Sequence, residues 1–175
     1  MNINDYDYIE PIGVNGKIIL TCFPGREAGK ISFKEDLLIH ELSNFSKLNC
    51  STLVSLVEDS EFNKLYNKKS FVRYVYSNNL KWIHLPIEDL KAPDKNFIDK
   101  WQLTKILLKN DLADGKNIVI HCMGGKGRSG TIAAILLIEF GENYDQVISI
   151  VRKRRKNAIE TKEQEDFILS YRPNK

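Results

Sequence analysis

Four short apolar runs constrain this chain most, at residues 17–22, 52–57, 81–85 and 117–121. Each is rich in Ile, Val or Leu, is bounded by polar or turn residues, and is nearly continuous in its apolar character. Such runs suit strands covered on both faces, as in a parallel sheet. Helical patterns lie between and after them. Residues 33–48 place apolar side chains at 37, 38, 42, 45 and 48, and residues 96–112 approach an amphipathic stripe. Residues 131–140 are apolar nearly all round, which predicts the most buried helix. Gly141 marks its stop, Asn143 with Gln146 and Thr161 with Gln164 read as capping boxes of two more helices, and Pro173 closes the last. Strands alternating with helices predict an α/β fold: one three-layer domain over residues 1–175 with a central, mainly parallel sheet. Residues 1–14 read as a poorly ordered N-terminal extension.

Composition narrows the function classes. With 175 residues, 42% hydrophobic and 28% charged, the chain can bury an ordinary core. No apolar run reaches the ~20 residues of a membrane span, and the start, MNINDYDYIEP, lacks the basic and apolar regions of a secretory leader. A net charge of +3 is too mild to point to nucleic acid. The basic run at residues 152–156 would point all round a helix, so it reads as a solvated, dipole-complementing end, with steering of phosphorylated substrates as the other reading. Three cysteines (Cys22, Cys50 and Cys122) and three scattered histidines (His40, His84 and His121) have no metal-ligand spacing. The expectation is no metal, no cofactor, no disulfide framework and a reducing, cytoplasmic setting.

The chemistry concentrates in NIVIHCMGGKGRSGT, residues 117–131, where a buried strand runs into a glycine-rich loop and then an apolar helix. Helix N-termini present unpaired N–H groups, and glycines let successive amides turn inward around an anion. A dinucleotide fingerprint fits residues 125–130 as G-x-G-x-x-G, but it begins four residues beyond the strand, where the tight turn needs its first glycine. A Walker loop fails because Gly127, not Ser or Thr, follows Lys126. A tight turn around a buried cysteine leaves the cations unexplained. One reading uses every residue: Cys122 at the loop base as a nucleophile, the amides of Met123, Gly124, Gly125, Lys126 and Gly127 around a phosphate, and Arg128 closing the loop by bidentate contact. Inward amides, helix dipole and guanidinium favour a thiolate, and Ser129 can donate to the sulfur when it becomes the leaving group.

HCMGGKGRSG, residues 121–130, resembles the His-Cys-x5-Arg-Ser/Thr phosphate loop of the cysteine-dependent protein tyrosine and dual-specificity phosphatases. FPG at 23–25, LPIEDLKAP at 85–93 and NAIETKEQ at 157–164 resemble the kinase-associated phosphatase (cyclin-dependent kinase inhibitor 3-like) branch and its bacterial relatives. The resemblance covers all but the first dozen or so residues. It implies metal-free hydrolysis of phosphate monoesters through a phosphocysteine, on phosphotyrosine, phosphoserine or phosphothreonine of a protein substrate, by a single domain acting as a monomer. A phosphoinositide or inositol-phosphate phosphatase is the alternative, and an inactive phosphate-reading module the third class.

Several roles come from that resemblance. Asp89 is the implied general acid, with a cap at a turn as its other reading; Asp94 reads as the cap of the next helix. Gln164 is the implied orienter of the hydrolytic water or, alternatively, the capping-box partner of Thr161; the family's earlier glutamine is here Glu160. His121 would support the thiolate through its ring or be a satisfied strand histidine. Lys126 would contact extra phosphates or sit as a solvated rim charge; Met123 stands where lipid-phosphatase relatives carry a second lysine. Cys22 could bridge to Cys122, as in some relatives.

Overall fold

The computed structural model describes residues 6–27, 29–30 and 32–173. Among these, five strands form one sheet: β1 (Asp7–Ile9), β2 (Ile18–Thr21), β3 (Cys50–Ser55), β4 (Lys81–His84) and β5 (Asn117–His121). The spatial order is β1-β2-β5-β3-β4, parallel throughout except for β1, which runs antiparallel to β2 along one edge. Residues 7–9, part of the 1–14 stretch expected to be poorly ordered, are therefore the edge strand of the sheet, while residues 1–5 of that stretch lie outside the described residues. Three ladder residues are too few to show a period, which is why the sequence hid them.

Among the described residues seven helices cover the two faces: α1 (Glu35–Lys47), α2 (Asp59–Leu65), α3 (Lys68–Ser77), α4 (Lys95–Ala113), α5 (Gly127–Glu139), α6 (Tyr144–Arg154) and α7 (Lys162–Ser170). Successive strand residues feed opposite cores. Ile18, Leu20, Ile118 and Ile120 pack with Trp101 and Leu108 of α4 and with α5. Ile19, Leu53 and Val119 pack with Leu38 and Leu42 of α1, Phe62 of α2 and Phe71 of α3. This two-sided burial is the physical origin of the continuous apolar runs of β2, β3 and β5, whereas β4, at the sheet edge, is only partly buried.

The parallel register aligns Thr21 and Ser55 with His121, and His84 with Ser55. The strands thus end in one row, and the loops leaving them meet at the carboxyl edge, where open α/β sheets bind ligands. α5 begins at Gly127, four residues before the apolar pattern starts, and no side chain caps its first turn. Asn143 caps α6 by accepting from the Asp145 N–H at 2.8 Å, without the reciprocal bond expected of Gln146. Thr161 and Gln164 do form a full capping box at α7.

Candidate active site

Cys122 leaves β5 directly into the loop. The Gly125 N–H donates to its sulfur at 3.2 Å, and Ser129 Oγ lies 3.5 Å from it. Gly125 has a φ of +68°, and a Cβ there would stand 2.4 Å from the carbonyl of Thr21, so the position requires glycine twice over. The loop carbonyls are held from outside. Met123 O accepts from Phe23 N at 3.3 Å and from Arg26 Nη1 at 2.8 Å; Gly125 O accepts from Arg155 Nε at 2.9 Å; Lys126 O accepts from Gly130 N at 3.0 Å. Gly124 is exposed at the loop tip.

Arg128 is 2% exposed. Glu61 of α2 grips it through two bonds, Nη1 to Oε2 at 2.6 Å and Nη2 to Oε1 at 2.9 Å, and Nη1 also donates to Ile87 O at 3.1 Å. Asp89 Oδ1 lies 2.9 Å from Nη2. Both Nη1 protons and one on Nη2 are therefore in hydrogen bonds, Asp89 adds an ion pair at Nη2, and Nε has no partner among the described residues. Burial opposes the charge, but the Glu61 bonds and the charges of Cys122, Glu61 and Asp89 outweigh it and raise the guanidinium pKa above its ordinary value.

The Asp89 side chain is 63% exposed. Its loop is fastened to the start of α7: Thr161 Oγ1 donates to Leu90 O at 3.1 Å, Gln164 Nε2 to Lys91 O at 3.2 Å, and Ala92 N to Glu163 Oε1 at 3.2 Å. Asp94 caps α4, its Oδ1 accepting from Phe97 N at 2.8 Å. Gln164 is fully buried and uses Oε1 to accept from Glu160 N at 2.9 Å. It also reaches the loop, since a Cβ on Gly127 would lie 3.1 Å from Gln164 Nε2 and 2.5 Å from Glu160 Oε2. Capping and proximity to the loop thus coexist in one side chain.

His121 turns away from the sulfur. Its Nε2 lies 2.6 Å from Ser55 Oγ, which accepts from Trp82 Nε1 at 2.8 Å, and its Nδ1 lies 3.3 Å from the Cys122 carbonyl. The carbonyl can only accept, so the ring proton sits on Nδ1, and Nε2 accepts from the Ser55 hydroxyl. Burial pushes the imidazole pKa down to about 3, so the ring is neutral. It supports the backbone of Cys122 rather than the thiolate directly.

Lys126 precedes α5 and its ammonium has no partner among the described residues; Lys156 is likewise unpaired. Both line a cleft of about 570 Å³ beside the loop, together with Arg26 and Arg155. Cys22 follows Thr21, and its thiol donates to Arg26 O at 3.7 Å; burial pushes it up to about 11. All three cysteines are free. Among the described residues no cluster of His, Cys, Asp and Glu could hold a metal ion, and no helix is long and apolar enough to cross a membrane.

Sequence reasoning missed Glu61, Arg26, Arg155 and Ser55. The first carried a weak signal as the acidic residue three after Glu58 in a capping box; the arginines were hidden because a carbonyl contact leaves no motif.

A family model described as Swiss Army Knife protein, DSP-PTPase phosphatase domain, matches residues 34–168. The chain belongs to the DSP-PTPase phosphatases. This phosphatase is 30% identical over 134 residues to protein tyrosine phosphatase type IVA 3 of Bos taurus, covering 70% of this chain and 73% of that one. It is 27% identical over 136 residues to the PRL-1 phosphatase of Drosophila melanogaster, covering 77% and 70%. Its fold matches kinase-associated phosphatase, solved with the catalytic cysteine replaced by serine, at a TM-score of 0.80 and 21% identity over 96% of this chain and 93% of that one. PTPMT1 superposes with a TM-score of 0.66 at 16% identity, over 94% and 91%. The DSP-PTPase domain makes this enzyme a cysteine-dependent phosphatase with the expected α/β architecture.

Proposed function

We propose that the enzyme hydrolyses phosphate monoesters on phosphoproteins, phosphotyrosine first, through a phosphocysteine on Cys122. The observation that carries this reading is the convergence of the Gly125 amide and the buried Arg128 charge on one sulfur at an uncapped helix start. The Cys122 thiolate attacks phosphorus, the ester P–O bond breaks, and Asp89 gives its proton to the leaving oxygen. Water then attacks the phosphocysteine, Asp89 takes a proton back, and the P–S bond opens to release inorganic phosphate and the thiolate. Ser129, 3.5 Å from the sulfur, donates to it as it departs.

Arg128 must open a place for the substrate. Its Nε is free, and the Asp89 contact at Nη2 is the exposed one, so phosphate replaces Asp89 there while Glu61 keeps its grip. That exchange frees the acid as substrate arrives. Gln164, buried against Gly127, directs water from the helix side. A monomer in a reducing, cytoplasmic setting suits three buried free thiols.

A second substrate reading rests on the unpaired Lys126 and Lys156 in the cleft beside the loop. It favours phosphoinositide or inositol-phosphate headgroups, and the solved complex of PTPMT1 with PI(5)P is the structural likeness that supports it. The test is a panel of phosphopeptides, phosphoinositides and inositol phosphates, with Cys122→Ser as the control. Cys122→Ser should abolish turnover while keeping oxyanion binding. Full activity in that variant rejects the mechanism, and turnover confined to inositol phosphates rejects the protein substrate.

A further inference from the structure

We infer that Arg155, braced by Asp7 of β1, is a positioning residue of the phosphate loop. Gly125 faces two ways: its N–H reaches the Cys122 sulfur at 3.2 Å, and its carbonyl accepts from Arg155 Nε at 2.9 Å. The amide plane joining Gly125 to Lys126 is rigid, so a carbonyl held outward aims the Lys126 N–H inward. A glycine at φ +68° gives that plane little intrinsic preference. Turned over, it would present an oxygen to the anion in place of a donor. Arg26 acts alike one turn earlier, holding Met123 O at 2.8 Å and so aiming the Gly124 N–H.

Arg155 is 8% exposed and follows α6 directly. Its Nη1 donates to Asp7 Oδ2 at 2.8 Å while Nε holds the loop, a double task that suits a planar fork and that a single ammonium does not match. Asp7 pairs with Leu20 in the sheet, so the brace is anchored in a ladder. It also lies outside residues 34–168, the span of the family model, so the edge strand of this chain adds a support to the site from beyond the matched domain.

The inference rests on residues 122–128 being the phosphate loop, and the experiment keeps the two apart. Wild type, Arg155→Ala, Arg155→Lys and Asp7→Asn are compared for orthovanadate dissociation constant, for KM and kcat on p-nitrophenyl phosphate, for the rate of Cys122 alkylation by iodoacetate, and for melting temperature. Arg155→Ala should weaken vanadate and raise KM about tenfold, about 1.4 kcal/mol, and slow alkylation. Arg155→Lys should recover little of this, and Asp7→Asn should weaken vanadate about threefold at a near-native melting temperature. Should Arg155→Ala fail to fold, the other two variants decide. Native vanadate affinity and alkylation rate in both, or a lowered melting temperature with unchanged binding, would overturn the positioning role. A wild type that neither binds vanadate nor is alkylated at Cys122 would instead reject the loop reading itself, and the inference with it.

Discussion

Replacing Asp89 by Asn should tighten oxyanion binding while slowing turnover, two effects of opposite sign from one side chain. Asp89 lies 2.9 Å from Arg128 Nη2, the place the proposed mechanism gives to an equatorial phosphate oxygen, so on that mechanism a ligand first displaces it. Because its side chain is 63% exposed, solvent screens the pair and the contact stabilises the unliganded state by well under about 1 kcal/mol. Removing the charge should therefore strengthen vanadate or phosphate binding about two- to threefold. Loss of the proton donor should depress kcat by ~10²–10⁴, the range for one general acid. The loss should shrink for aryl esters with acidic leaving groups and be greatest for alkyl esters. Calorimetric titration with vanadate and steady-state rates on a series of phosphate esters read both effects. Asp94→Asn is the control: it should destabilise α4 by a fraction of the ~1 kcal/mol a cap contributes and leave kcat alone. Weakened vanadate binding in Asp89→Asn would refute the displacement argument. A large kcat loss in Asp94→Asn with an active Asp89→Asn would place the acid on the wrong residue.

Glu61→Gln should raise KM more than it lowers kcat and cost about 2–3 kcal/mol of stability, because the buried Arg128 keeps its charge and loses its paired carboxylate; chemical denaturation and steady-state kinetics check both. Lys126→Gln should barely change hydrolysis of p-nitrophenyl phosphate, yet lower turnover of multiply phosphorylated inositol substrates about tenfold, one charged contact of about 1.4 kcal/mol; an equal response across substrates removes that residue from the argument. His121 provides a pH test of stability. Its pKa falls from 6.5 to about 3 on folding, so below pH 6.5 the unfolded chain binds a proton that the folded chain refuses. Its contribution is complete above that pH and is lost at about 1.4 kcal/mol per unit as pH falls toward 3. His121→Gln should flatten that part of the denaturation profile between pH 6 and 4, and an unchanged slope would count against a neutral ring.

The loop from His121 to Ser129 was legible because several rare constraints coincide there: a fully buried strand, positions that only glycine can hold, and a cation that must bind two oxygens at once. Asp94 and the Thr161–Gln164 box were legible because caps act over three residues of chain. β1 was not, since its pairing with β2 is decided by ladder bonds rather than by side-chain pattern. Glu61 and Arg155 were hidden for a related reason. Their partners, Arg128 and Gly125, are distant in sequence, and charge at a helix start or end is ordinary when seen alone. The basic run at 152–156 shows the difference: Arg152, still exposed, bonds Ala158 O and Ile159 O, and the buried Arg155 bonds Gly125 O, so two of its cations hold backbone.

The sheet order has a consequence for synthesis of the chain. β5 lies between β2 and β3 and contacts both, yet it is the last of the five strands to leave a ribosome. Until it inserts, β2 and β3 have no shared partner, and their apolar faces await a strand more than sixty residues downstream of β3. Parallel pairings across such separations form late and slowly. The Cys122 sulfur acquires its amide donor, and Arg128 its place beside Asp89, only once β5 has closed the sheet. An incomplete chain therefore holds a plain cysteine, and phosphate-ester chemistry begins only with the finished fold.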